Sequence, residues 1–151
     1  MLEWRSAMNL LIVDDEYLVV EEVVTVTDWE LLGITEIYSA TNAVSAVRIL
    51  NEKKIDIMIC DIEMPQTDGL ELSKKAKENF PDLEIVMLTS HAEFNYVRNA
   101  LRYGCYDYLL KPVMEDDIIK VMKNLVTKIE RERHQAQLQE EGIVWNQLKP
   151  V

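Results

Sequence analysis

Five short apolar runs recur along the chain, separated by longer stretches in which apolar residues return at helical spacing. The runs are Asn9–Val13, Ile34–Ala40, Ile55–Cys60, Glu84–Leu88 and Tyr106–Leu110. They are rich in Ile, Val and Leu, as strands covered on both faces are. Between them, Val44, Val47 and Leu50, then Leu70, Leu72, Ala76 and Phe80, then Phe94, Val97 and Leu101 predict helices with one apolar face each. Regular alternation of this kind predicts an α/β fold, a doubly wound parallel sheet with helices on both faces. Parallel neighbours need a crossover, and the crossover is right-handed. Gly33 before the second strand, Pro81 before the fourth, Gly104 closing a helix and Pro112 after the last strand punctuate the same pattern.

After Pro112, Asp116 and Asp117 suit a first helical turn, and Ile118, Met122, Leu125 and Ile129 follow on one face. Beyond Ile129 the apolar stripe fades while strong helix formers continue to Glu141. That stretch reads either as a solvated helix end or as the start of a signalling linker or coiled coil. The expected division is a leader-like or tag-like segment at 1–7, one domain at 8–130, and a helical linker and tail at 131–151 leading toward an output domain outside this sequence.

The net charge of −11 argues against nucleic acid as a direct partner of this stretch, since it repels polyanions and no Lys/Arg cluster interrupts it. Cys60 and Cys105 stand far apart without a CxxC or CxxH arrangement, so buried, reduced thiols are expected instead of a disulfide framework or a zinc site. No apolar run is long enough to span a bilayer and no secretion signal is recognisable, which predicts a cytoplasmic protein without membrane attachment.

In open parallel sheets, functional groups gather at the carboxyl ends of the strands. The first run exits into Asp14, Asp15 and Glu16, the third into Asp61, the fourth into Thr89 and Ser90, and the fifth into Lys111 and Pro112. Taken singly, each has an ordinary reading as a helix cap or turn residue. Together they bring carboxylates, a hydroxyl and an amine to one edge. Crowded carboxylates raise one another's pKa values unless a cation sits among them. An all-oxygen donor set favours a hard ion such as Mg²⁺. A metal, an ammonium and a hydroxyl around one carboxylate suit an incoming phosphoryl group, with Asp61 as the nucleophile. Asp61 is expected to stand exposed beyond its buried strand, with Pro65 stiffening the following loop and Gly69 permitting a turn that most residues resist.

The segments LIVDDE, ICDIEMPQTDGLEL, VMLTSHAEF and GCYDYLLKPV resemble, in order, the motifs of the bacterial two-component response regulator receiver domain, which is CheY-like, over residues 8–130. The resemblance implies a flavodoxin-like strand order of 2-1-3-4-5. It implies Asp61 as phosphoacceptor, and Asp15, Asp61 and the backbone carbonyl of Glu63 as direct Mg²⁺ ligands, with Asp14 acting largely through water. Lys111 would bind one phosphoryl oxygen and Thr89 another, Tyr108 would swing inward as Thr89 moves, and the Lys111–Pro112 peptide would be cis. The implied protein is a signalling switch without external turnover, phosphorylated by a sensor histidine kinase.

TDWELLGI and HAEFNYVRNAL further resemble a subgroup whose receiver precedes an AraC-type (YesN-like) helix-turn-helix output, the part that would contact DNA. The chain departs from many members in having Asn42-Ala43 before the second helix. Glu63 and His91 flank the implied phosphoryl site and are expected to tune the lifetime of the phosphorylated state. Tyr96, Arg98, Arg102, Tyr103 and Lys120 fall on or near the surface that such a switch would alter, where a homodimer partner is a candidate. An aspartyl-phosphate hydrolase and a phosphorylation-independent interaction module are the competing readings. The first usually carries a DxD signature where Asp61-Ile62-Glu63 stands, and the second would usually have lost an acidic or lysine position.

Overall fold

The structure, a computed structural model, describes residues 7–65, 68–90 and 94–148, the side chains of 94, 96, 97 and 143–148 apart. His91, the Tyr96 side chain and most of the leader-like segment therefore lie outside the described residues. Strands β1 (Met8–Val13), β2 (Ile34–Ala40), β3 (Ile57–Asp61), β4 (Glu84–Thr89) and β5 (Asp107–Leu110) alternate with helices α1 (Tyr17–Thr25), α2 (Ala43–Glu52), α3 (Gly69–Asn79), α4 (Phe94–Arg102) and α5 (Glu115–Leu148). All strand pairings are parallel and the order is β2-β1-β3-β4-β5, the flavodoxin-like arrangement.

Alternation along the central strands divides the core into two layers. Leu10, Ile12, Ile57 and Ile59 face α1 and α5, meeting Val20, Val23, Ile118, Met122, Leu125 and Ile129. Leu11, Val13, Met58 and Cys60 face α2, α3 and α4, meeting Ala46, Leu50, Leu72, Ala76 and Ala100. Every residue of β3 and β4 is buried, which is why their sequences read as continuous apolar runs. Cys60 and Cys105 are both buried and free.

Two helical faces differ from the pattern expected of them. On α2 the buried residues are Ala46 and Leu50, while Val44 and Val47 are 71% and 44% exposed. The small Ala46 lets the helix settle close to the sheet and rotates the valines to its flank. On α4, Ala100 is buried and Leu101 is half exposed for the same reason. Asn42 caps α2 by accepting the Ser45 amide at 2.8 Å, so the Asn-Ala pair starts the helix directly.

A 3₁₀ turn at Trp29–Leu32, without a periodic signature in the sequence, fills the space between α1 and β2. Trp29 is buried and its indole N–H donates to the Val23 carbonyl at 3.0 Å. Gly33 ends the turn at φ 92°, the left-handed region, and its carbonyl accepts the Met8 amide, which launches β2 beside β1. Helix α5 is longer than the apolar stripe and continues unbroken to Leu148.

Candidate functional site

Strand order reverses between β1 and β3, and a crevice opens at their carboxyl ends. Asp14 and Asp15 follow β1 there, and Asp61 is the last residue of β3. Carboxylate oxygens of the three lie within 4.8 Å of one another. The expectation that Asp61 stands exposed is not met: it is 2% exposed and Asp14 is wholly buried, while Asp15 faces solvent. The ladder to β4 runs past the apolar stretch, pairing Asp61 with Leu88, so the carboxylate is delivered from inside the sheet edge.

Local hydrogen bonds fix both buried carboxylates. Asp14 Oδ1 accepts the Glu16 amide at 2.9 Å, and Asp61 Oδ1 accepts the Glu63 amide at 3.1 Å. Lys111 reaches across from the end of β5, placing Nζ 2.8 Å from Asp14 Oδ2 and 3.3 Å from Asp61 Oδ1. Its own amide donates to the Thr89 carbonyl at 2.9 Å, which ties the exits of β4 and β5 together, and the Lys111–Pro112 peptide is cis. Thr89 is fully buried beside this bridge, and Tyr108, opposite Met87 on β5, is half-buried. Glu63 is exposed.

Burial is the largest influence on Asp61 and pushes its carboxyl up to about 6; the Glu63 amide opposes this, Asp14 adds to it, and Lys111 again opposes it. Burial pulls the Lys111 ammonium down, but its pairing with Asp14 and Asp61 outweighs that and holds it above the ordinary lysine value. Among the described residues the site thus sets two buried acids and an exposed one against the Lys111 ammonium.

A hard divalent cation fits this donor set. Asp14 Oδ2 is buried and meets Lys111 only as an ion pair, with no aligned hydrogen-bond donor among the described residues. Asp14, Asp15 and Asp61 offer oxygen alone. A shallow groove lined by Asp15, Asn42, Val44, Met64 and Pro65 opens beside them.

Gly69 departs from its expected role. Its φ is not positive, and it forms the first residue of α3, where its amide donates to the Ile62 carbonyl at 3.0 Å. Glycine is required there because the helix start abuts the Asp61 backbone. The sequence signals a glycine at this place but not the reason for it. Asp68 caps the same helix by accepting the Leu70 amide at 2.9 Å.

Among the described residues, no helix is long and apolar enough to cross a membrane. Comparison with known proteins gives one consistent result. The chain is 34% identical over 124 residues to the transcriptional regulatory protein YesN of Bacillus subtilis, covering 82% of this chain and 34% of that protein. It is 32% identical over 127 residues to the response regulator SaeR of Staphylococcus aureus, covering 84% and 54%. The chain therefore spans about a third to a half of the length of such relatives. Among solved structures, the receiver domain of AraT, a response regulator from Geobacillus stearothermophilus, superposes with a TM-score of 0.79 at 30% identity, over 85% of this chain and 99% of that one. NtrX from Brucella abortus gives 0.79 at 28% identity, over 88% and 30%. Residues 10–123 match the family described as the response regulator receiver domain, and the chain belongs to that family.

Proposed function

We propose that the chain is a phosphorylation switch whose input is Asp61. The observation that carries this reading is the placement of Asp61: its carboxylate is held by a backbone amide, faces Lys111, and shares its crevice with two further acids. An Asp61 oxygen attacks the phosphorus of a phosphohistidine on a sensor histidine kinase. The P–N bond breaks, and the leaving imidazole takes up a proton. Asp15 and Asp61, with the Glu63 carbonyl, would hold Mg²⁺, and Asp14 would act largely through water; the bound ion would supply positive charge to the oxygens of the phosphoryl group. Lys111 pairs with one phosphoryl oxygen and the Thr89 hydroxyl donates to another, while Glu63 and His91 tune the rate of hydrolysis.

Phosphorylation adds nearly two negative charges at the sheet edge. Thr89 moves toward them, Tyr108 fills the space it leaves, and the population shifts toward an altered surface of α4, β5 and α5. Arg98, Arg102, Tyr103 and Lys120 are exposed on those elements or next to them, available to a second copy. The relatives described as transcriptional regulators support a part in transcription regulation; the protein is read as cytoplasmic, with DNA bound by an AraC-type output outside these 151 residues. The chain itself acts as a switch and turns over no external substrate.

The test is a mass measurement. Incubation with Mg²⁺ and a small phosphodonor adds one phosphoryl mass to the protein and none to Asp61→Asn. No gain in a folded, Mg²⁺-binding protein would indicate an interaction module instead, and repeated turnover of a phosphoester would indicate a hydrolase.

A further inference from the structure

Two buried carboxylates take no part in the crevice. Asp56 and Glu84 are 4% and 8% exposed and stand at the amino ends of β3 and β4, at the base of the sheet, opposite Asp61. Asp56 Oδ2 accepts the Asn9 amide at 2.8 Å, which β1 leaves free where its register to β2 shifts. The other Asp56 oxygen pairs with Arg133 of α5. Glu84 Oε1 lies 3.2 Å from Lys128 of α5 and 3.4 Å from Lys77 of α3.

Among the described residues, Ile129 is the last buried apolar residue on α5, and Arg133 is the last half-buried residue. From His134 to Gly142 every residue is exposed while the helix continues. The point at which α5 leaves the body is thus held by two basic side chains on two buried acids.

We propose that the Arg133–Asp56 and Lys128–Glu84 pairs form an anchor at the base of the sheet that fixes the direction in which α5 projects from the receiver body. Among the described residues the apolar contacts of α5, from Ile118, Val121, Met122, Leu125, Val126 and Ile129, end at Ile129 and by themselves do not hold the turns that follow. Two ion pairs, one on each side of Ile129 in sequence, supply that hold. Paired buried carboxylates are costly to leave alone, so the helix stays seated. Asp56 immediately precedes β3, and Asp61 is the strand's last residue, so the two carboxylates stand at opposite ends of one buried strand. This inference concerns the geometry of α5 alone and stands whether or not Asp61 is phosphorylated.

Spin labels at Glu36→Cys, on exposed β2, and Gln139→Cys, on the projecting helix, report the direction by their distance distribution. Cys60 and Cys105 are buried with their thiols pushed up, and so escape labelling. The distribution is expected to be narrow in the parent protein and to widen about twofold or more in Arg133→Gln/Lys128→Gln, where glutamine keeps the helix propensity and removes the charges. Arg133→Lys retains the narrow distribution, and so does Arg131→Gln, which removes an exposed arginine on the same turn. An unchanged distribution in the double variant, or equal widening in Arg131→Gln, overturns the proposal.

Discussion

A Cβ placed on Gly69 would stand 1.9 Å from the carbonyl oxygen of Asp61. Both partners in that clash are backbone, so neither yields by rotating a side chain. Gly69→Ala is therefore expected to destabilise the fold by about 1–3 kcal/mol, the range for forced overpacking, and to displace Asp61. Urea unfolding measures the first effect and phosphoryl uptake per folded molecule the second. Wild-type stability in Gly69→Ala would contradict the contact.

Asp61 in the folded chain holds its proton up to about pH 6, whereas an unfolded aspartate releases it near pH 4. Between those values the folded state binds more protons, so this group lowers stability as pH rises, and the loss persists above pH 6. Two pKa units correspond to about 3 kcal/mol. Without metal, Asp61→Asn is expected to be more stable than the parent by about that amount at pH 7 and equal to it near pH 4. Denaturation midpoints across the pH range test this, and a difference independent of pH would refute it.

The exposed Asp15 separates metal binding from folding. Asp15→Asn is expected to match the parent within about 0.5 kcal/mol in the absence of Mg²⁺, since it leaves no buried group unpaired. Added Mg²⁺ is expected to raise the melting temperature of the parent, as a ligand that binds only the folded site does, and Asp15→Asn is expected to lose most of that rise. An equal rise in both proteins would place the ion elsewhere.

Lys111 neutralises a wholly buried Asp14. Lys111→Met strands that carboxylate and is expected to cost about 3–5 kcal/mol. Adding Asp14→Asn to it recovers much of the loss, so a double-mutant cycle in urea detects the coupling.

β1, β3 and β4 were legible because burial on both faces imposes runs of Ile, Val, Leu and Met, and the helix of residues 118–129 because its face is one apolar stripe. The faces of α2 and α4 were not, since a small alanine in the core outweighs a larger valine or leucine beside it, and only the distance to the sheet decides between them. The site was legible as a set of strand exits, each carrying one polar type. Its burial was not: Asp61 pairs within the ladder, and nothing in the run from Ile55 reveals where the ladder stops. The need for Gly69 lay in a contact across seven intervening residues, invisible to a local turn rule. Trp29 in its 3₁₀ turn had no period to announce it.

β5 differs from its neighbours in kind. β3 is buried along its whole length, whereas β5 has four residues, lies at the sheet margin and buries only Leu109 fully. The sheet thus has a gradient of burial, complete at the centre where Asp61 sits and partial at the margin where Tyr108 sits. Amide exchange should follow that gradient, slowest in β3 and fastest in β5.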